Sequence, residues 1–224
     1  DCTTTTTIAE SSGPPYSFFN QSPTINTAGT VAFLAYLDEG GSGLYRSSGG
    51  AATPIALSSM PVYSLFNDPT INASGTLGFW SGLEDGEQGI FTSDGTTTKT
   101  IALTSGPIYS QLHSLPAMNA SGTVGFRATL DSGGFGLFTG NGTTTTTIAL
   151  TSGPVWSGFG DTVSINAAGK LAFRGFPDGT ASDGLFISDG TTTTEVIRGG
   201  AALFGSHLTN YRIGRESFND AGQL

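Results

Sequence analysis

Four times in this chain an asparagine is followed by a glycine three residues later and by a phenylalanine seven residues later. The copies are Asn26, Gly29 and Phe33; Asn72, Gly75 and Phe79; Asn119, Gly122 and Phe126; and Asn166, Gly169 and Phe173. A fifth copy starts at Asn219 and has reached Leu224 without its aromatic. The asparagines are spaced by 46, 47, 47 and 53 residues. Two further markers keep step with them. An isoleucine recurs at Ile8, Ile55, Ile101, Ile148 and Ile197, and a Gly-(Leu/Ile)-(Tyr/Phe) triplet at Gly43, Gly89, Gly136 and Gly184. A period of this length is the mark of a repeat architecture, in which each unit buries its apolar face against its neighbours.

The content of one unit predicts its structure. A threonine-rich segment such as Thr143 to Leu150 favours a strand with a wet outer face. The same reading applies to Thr3 to Ala9. A proline then turns the chain, and an aromatic residue follows at Tyr16, Tyr63, Tyr109 and Trp156, where packing between units is favoured over carbohydrate stacking. A short segment ends at the motif asparagine. Asn and Gly both tolerate positive φ, so the pair is read as a tight hairpin leading into the motif strand. In that strand Phe33, Phe79, Phe126 and Phe173 are the expected core aromatics, and the small Ala32, or Gly78 and Gly125, marks a close approach of another sheet. The Gly-x-aromatic strand comes next, and Ser93-Asp94-Gly95 and its equivalents are read as two-residue hairpins back to a threonine strand. No sustained helical spacing of apolar residues occurs. The predicted fold is all-β, with four-stranded antiparallel units of about 47 residues forming a β-propeller of about five blades; an open, solenoid-like stack is the alternative. Residues 1–224 form one repeat domain, with units at 10–56, 57–102, 103–149 and 150–198 and a split fifth unit from 1–9 and 199–224.

Composition narrows the function classes. Eight basic residues stand against 17 acidic ones, a net charge of −9, with no Lys or Arg cluster. That argues against nucleic acid and against anionic membrane surfaces. No apolar run approaches the ~20 residues of a membrane span. With 37% apolar residues and 15 Phe the chain is too hydrophobic for disorder. One cysteine, Cys2, rules out a disulfide within the chain. Few lysines and many Thr, Ser, Gly and Asn suit an extracellular or cell-surface protein.

The pattern Asn-x-x-Gly-x-x-Ala-Phe, complete at Asn26, Gly29, Ala32 and Phe33 and again at Asn166, Gly169, Ala172 and Phe173, resembles bacterial surface proteins with tandem NxxGxxAF repeats. Two copies carry Gly78 and Gly125 in place of Ala. The resemblance spans nearly the whole chain. It implies secretion and attachment through varied C-terminal anchors, and it implies no enzymatic activity.

Catalytic patterns are sparse. His113 and His207 are the two histidines, without metal-ligand spacing, and are read as surface or loop residues. The acidic loops hold Asp38, Glu39, Glu84, Asp85, Glu87, Asp131 and Asp178, read as solvated loop tips. No cofactor is expected, and the best metal candidate is calcium at Glu84, Asp85 and Glu87, although Asp-x-Asp-x-Asp spacing is lacking. Sequons at Asn20 and Asn141 are the candidate glycosylation sites; Asn72 and Asn119 also stand in sequons but are read as turn residues. The threonine strands are read as soluble edges rather than as ice-binding ladders. The resulting expectation is a non-enzymatic extracellular structural protein, a self-assembling subunit of a filament or layer; the alternative is a glycan-binding propeller. Its expected partners are copies of itself, joined head to tail at Thr3, Ile8, Asn219 and Leu224, and glycans.

Overall fold

The motif phenylalanines sit in strands whose two faces are both apolar, and this decides the architecture. The computed structural model describes residues 4–20, 22–59, 62–113, 115–209 and 211–224; the expected contact residue Thr3 and Cys2 lie outside them. Four antiparallel sheets follow one another along the chain. The first contains β1 (Tyr16–Phe19), β2 (Thr24–Ile25), β3 (Val31–Leu37), β4 (Ser42–Ser47) and β5 (Thr53–Leu57). The second contains β6 (Tyr63–Phe66), β7 (Thr70–Ile71), β8 (Leu77–Leu83), β9 (Gln88–Ser93) and β10 (Thr98–Leu103). The third contains β11 (Tyr109–Leu112), β12 (Ala117–Met118), β13 (Val124–Leu130), β14 (Phe135–Gly140) and β15 (Thr145–Leu150). The fourth contains β16 (Trp156–Ile165), β17 (Leu171–Pro177), β18 (Gly184–Ser188) and β19 (Thr193–Arg198). A small hairpin of β20 (Ala202–Leu203) and β21 (Ser206–His207) follows. The described residues contain no helix, so none is long and apolar enough to cross a membrane.

Each sheet has the same order. Two short segments, such as β1 and β2, both pair with the motif strand, which pairs with the Gly-x-aromatic strand, which pairs with the threonine strand. Alternation along β3 sends Phe33 and Ala35 to one face and Ala32 and Leu34 to the other. The first face is aromatic in every unit. Tyr109, Phe126 and Phe138 cluster with ring centroids 5.2–5.9 Å apart, and Trp156, Phe173 and Phe186 repeat the arrangement at 4.8–6.0 Å. A glycine two residues before the last ring makes room for it: a Cβ on Gly136 would lie 2.5 Å from Phe138. The second face is mainly aliphatic and small. It packs on the aromatic face of the following sheet, so that Leu34, Leu44 and Ala56 meet Tyr63, Phe66 and Phe79. Leu137, Ile148 and Ala149 meet Trp156 and Phe173 in the same way. Gly125 lies on this face, and a Cβ there would come 2.5 Å from Leu171 of the next sheet. The close approach read from the small motif residue is therefore real.

The final segment reaches back along the series of sheets. The short inner strands β2, β7, β12 and the end of β16 adjoin in sequence. Beyond the fourth sheet, the Ser164 hydroxyl donates to the Arg215 carbonyl at 2.8 Å and accepts from the Phe218 N–H at 3.0 Å. The Arg215 guanidinium then donates to the carbonyls of Asp68 and Pro69 in the second unit, at 3.0 and 3.2 Å. Residues 214–217 also line a cleft with Pro23, Thr24 and Ile25 of the first unit. These contacts bring residues 214–217 beside the first, second and fourth units; four repeated antiparallel sheets fit a propeller or a stack. The outward faces of the end sheets are covered by irregular chain. Ile213 and Phe218 pack on Ala172, and Ile8 and Ala9 pack against Tyr16, Phe33 and Tyr45.

Two local expectations are corrected. Residues 4–10 form no strand, because among the described residues nothing pairs with their backbone; they lie against the first sheet, with Thr6 filling the space over Gly49. The turns at Asp94, Asn141 and Asp189 are four-residue loops rather than two-residue ones. In each, the first side chain accepts two backbone N–H groups, as Asp94 does from Thr96 and Thr97 at 2.8 and 2.7 Å, which stabilises the longer loop.

Two stability measurements test this packing. Phe126 is fully buried between the second and third sheets, so Phe126→Ala lowers the unfolding free energy by about 3–5 kcal/mol in denaturant titration. Arg215→Ala leaves two inner carbonyls without their charged donor and costs about 1.5–3 kcal/mol. A loss below the error of the titration would show that the packing of the final segment does not depend on that link.

Candidate functional site

The motif turn is a three-residue hairpin loop with a bulge, built the same way in each copy. The Asn26 N–H donates to the Thr30 carbonyl and the Gly29 N–H to the Asn26 carbonyl, both at 3.0 Å. Gly29 has φ of 79°, a left-handed conformation that other residues adopt only with strain. The Asn26 Oδ1 accepts the N–H groups of Ala28 and Thr30 at 3.0 and 2.9 Å. This leaves the amide Nδ2 to reach outside the turn. Asn26 Nδ2 donates to the Asn72 carbonyl at 3.0 Å, Asn72 Nδ2 to the Ala120 carbonyl at 3.3 Å, and Asn119 Nδ2 to the Asn166 carbonyl at 3.0 Å. A ladder of side-chain amides thus ties each unit to the next. After the fourth unit the bond changes kind: the Ala167 backbone N–H donates to the Asp220 side chain at 2.6 Å, and Asn219 caps its own turn by accepting from Gln223. Gly75, Gly122 and Gly169 share the positive φ of Gly29.

The other residues singled out in the sequence are placed in scaffold roles. The N–H groups of Asp38, Glu84, Asp131 and Asp178 donate to the carbonyls of Pro15, Val62, Ile108 and Val155, which pins the proline turns. Asp85 accepts the Glu87 N–H at 3.0 Å, and the Glu87 carboxylate accepts from Thr104. Among the described residues no group of three or more His, Cys, Asp or Glu side chains is placed to hold a metal ion. Tyr16, Tyr63, Tyr109 and Trp156 are buried in the aromatic clusters, so their rings are not open to a sugar. Asn20 donates to Asp68 of the next unit at 2.7 Å, and Asn141 caps its loop while remaining exposed. The threonines of β10, β15 and β19 are exposed on separate sheets. Leu224 is exposed, whereas Ile8 is half-buried.

The repeat breaks in the fourth unit, and the charged residues gather there. In the other units a gap separates the two inner segments; in β16 the strand runs on, with residues 160–162 bulging opposite Arg174. Two arginines follow the motif phenylalanine, Arg127 in the third unit and Arg174 in the fourth, where the first two units have Leu34 and Trp80. Arg127 pairs with Asp161 on the bulge at 2.5 Å and lies over the Phe135 ring, 4.6 Å from its centroid. Arg174 pairs through Nε with Asp183 and sits 5.1 Å from the Phe176 centroid and 5.4 Å from that of Tyr211. Together Phe159, Asp161, Thr162, Arg174, Tyr211 and Arg212 line a cleft of about 460 Å³. Burial opposes ionisation of Asp183, but Arg174 and the adjacent Tyr211 outweigh it and hold the carboxyl below the ordinary range. Burial and the Asp183 charge push Tyr211 up to about 12. Its hydroxyl lies beside that carboxylate without a well-formed hydrogen bond.

Comparison with known proteins agrees with this repeat. A family model matches residues 4–153 and, in a second register, residues 56–224. The chain belongs to the family of unknown function DUF7453. The overlapping matches, offset by about one unit, are what a tandem repeat produces. No curated protein matches the chain. Within this DUF7453 chain, the cleft residues escaped the sequence reading because they are departures from the repeat. The available signal was the replacement of an apolar residue by Arg at one repeat position, together with the Tyr211-Arg212 pair in the final segment.

His113 offers a readout of this region. It is half-buried, its Nε2 is 3.3 Å from the Thr129 hydroxyl, and burial and then Arg127 lower its pKa against the opposing effect of Asp161. A histidine whose folded pKa is lowered contributes stability that is fully present above its unfolded value of about 6.5 and is lost as pH falls through the folded value. The Tm is therefore expected to fall between pH ~7 and ~5, and His113→Gln should flatten that slope; an unchanged slope would assign the dependence elsewhere.

Proposed function

We propose that this DUF7453 protein is a non-enzymatic structural protein of the extracellular space or cell surface, a rigid repeat scaffold that self-associates into a filament or layer. The observation that carries this reading is the asparagine ladder: the motif side chains are used in turn geometry and in bonds from unit to unit, and the motif phenylalanines in the core. Composition supports the location, with low charge and abundant hydroxyl side chains. Self-association is supported by Val62, Ile108 and Val155, an exposed apolar residue at the same place in the proline turn of the second, third and fourth units.

Sedimentation velocity over a range of concentrations, with negative-stain electron microscopy, tests the reading. Larger species should form as concentration rises, and the triple variant V62S/I108S/V155S should remain monomeric at unchanged Tm. A wild-type protein that is monomeric throughout would remove the assembly part of the proposal. A second reading, a glycan-binding module, is favoured by one observation: the charged and aromatic cleft around Arg174.

A further inference from the structure

We propose that the cleft between β16, β17 and residues 211–213 binds a carboxylate-bearing sugar of the uronic acid type. This deepens the glycan-binding reading and is independent of self-association. Its first support is the distribution of charge. The chain has eight Lys and Arg in 224 residues and a net charge of −9. Two of those eight, Arg174 and Arg212, line this one cleft, and a third, Arg127, holds its rim through Asp161.

The second support is the state of the two lining arginines. Arg174 is held in place before any ligand arrives, by Asp183 at Nε and by the rings of Phe176 and Tyr211. Its side chain keeps about a third of its surface exposed, at 35%. Among the described residues nothing accepts hydrogen bonds from its two Nη groups. A fixed guanidinium with a free fork is suited to bidentate recognition of a carboxylate. Arg212 is exposed and has no ion pair among the described residues. It supplies a second cation that the fold does not use.

The remaining lining selects among anions. Arg127, Arg174 and Arg212 are set against Asp161 and Asp183, so the site carries roughly one net positive charge. That suits a monoanion better than a phosphate dianion or a polyanion, which would meet the two carboxylates. Asp161 and Thr162 offer an acceptor and a hydroxyl to sugar hydroxyl groups, and Phe176 and Tyr211 offer aromatic surface. A volume of about 460 Å³ holds one or two sugar rings. The clefts beside the motif turns have no such set: the one of about 530 Å³ between the second and third units is lined by Asp94 and Lys99 as its charged residues.

Isothermal titration with galacturonate and glucuronate oligosaccharides, their neutral galactose and glucose counterparts and inorganic phosphate tests the inference on the whole chain. Uronate binding is expected, weakened about tenfold by R212Q at unchanged Tm and also weakened by R174K, which keeps the charge and loses the fork. Binding of neutral sugars as strong as that of uronates would overturn the uronate assignment and leave the glycan-binding reading standing. Binding of no sugar would overturn both. Phosphate binding equal to that of uronate, or uronate binding unaffected by R212Q, would overturn the inference itself.

Discussion

A sheet with apolar side chains on both faces has to be covered twice, and the rest of this structure follows from that requirement. Each motif strand carries Phe on one face and Ala, Leu or a close-packed Gly on the other. Burial of a Phe or Leu side chain is worth about 1.5–3 kcal/mol, and it is realised only when a second sheet lies against each face. The aromatic face is broad and the other face is small, so successive sheets nest in one direction. At the ends of the series the same demand is met by irregular chain: Ile8 and Ala9 on the first sheet, Ile213 and Phe218 on the fourth.

The asparagine at the head of each motif has a separate task, and its chemistry explains why that residue type recurs. A side-chain amide has an acceptor and a donor on one rigid group. The Oδ1 closes its own turn while Nδ2 crosses to a carbonyl of the next unit. Aspartate could supply the acceptor but not the donor, and serine could not span both. In the outer loops, where no crossing bond is made, Asp94 and Asp189 stand beside Asn141 in the same capping role. Asn72, Asn119 and Asn166 are buried, so the amide bonds also satisfy polar groups that water cannot reach.

Charge and regularity are distributed differently. Three units are near copies, and their polar residues close turns or pin loops. The fourth is altered by the bulge at residues 160–162, by Arg174 and by the following segment with Tyr211 and Arg212. A regular scaffold tolerates such a change because each unit packs on its neighbours through the core faces. The edge of the series is where a new surface can be made without disturbing the repeat.

The period, the antiparallel four-stranded unit, the turn at Asn and Gly and the burial of the motif phenylalanines were legible in the sequence, because each is a local consequence of spacing and residue type. The two-residue reading of the outer loops failed because Asp and Asn side chains can cap a longer loop, which a dipeptide signal does not reveal. The run Thr4 to Thr7 carries strand propensity, yet pairing needs a partner backbone, and among the described residues none adjoins it. Ring against stack is not settled by a repeat, which is the same in both; what the tertiary structure adds is the link from Arg215 back to Asp68 and Pro69, across a sequence separation of nearly 150 residues. The cleft likewise exists only in three dimensions. Asp161, Arg174 and Arg212 are ordinary residues far apart in the chain, and only the packing of the last segment against the fourth sheet brings them onto one surface.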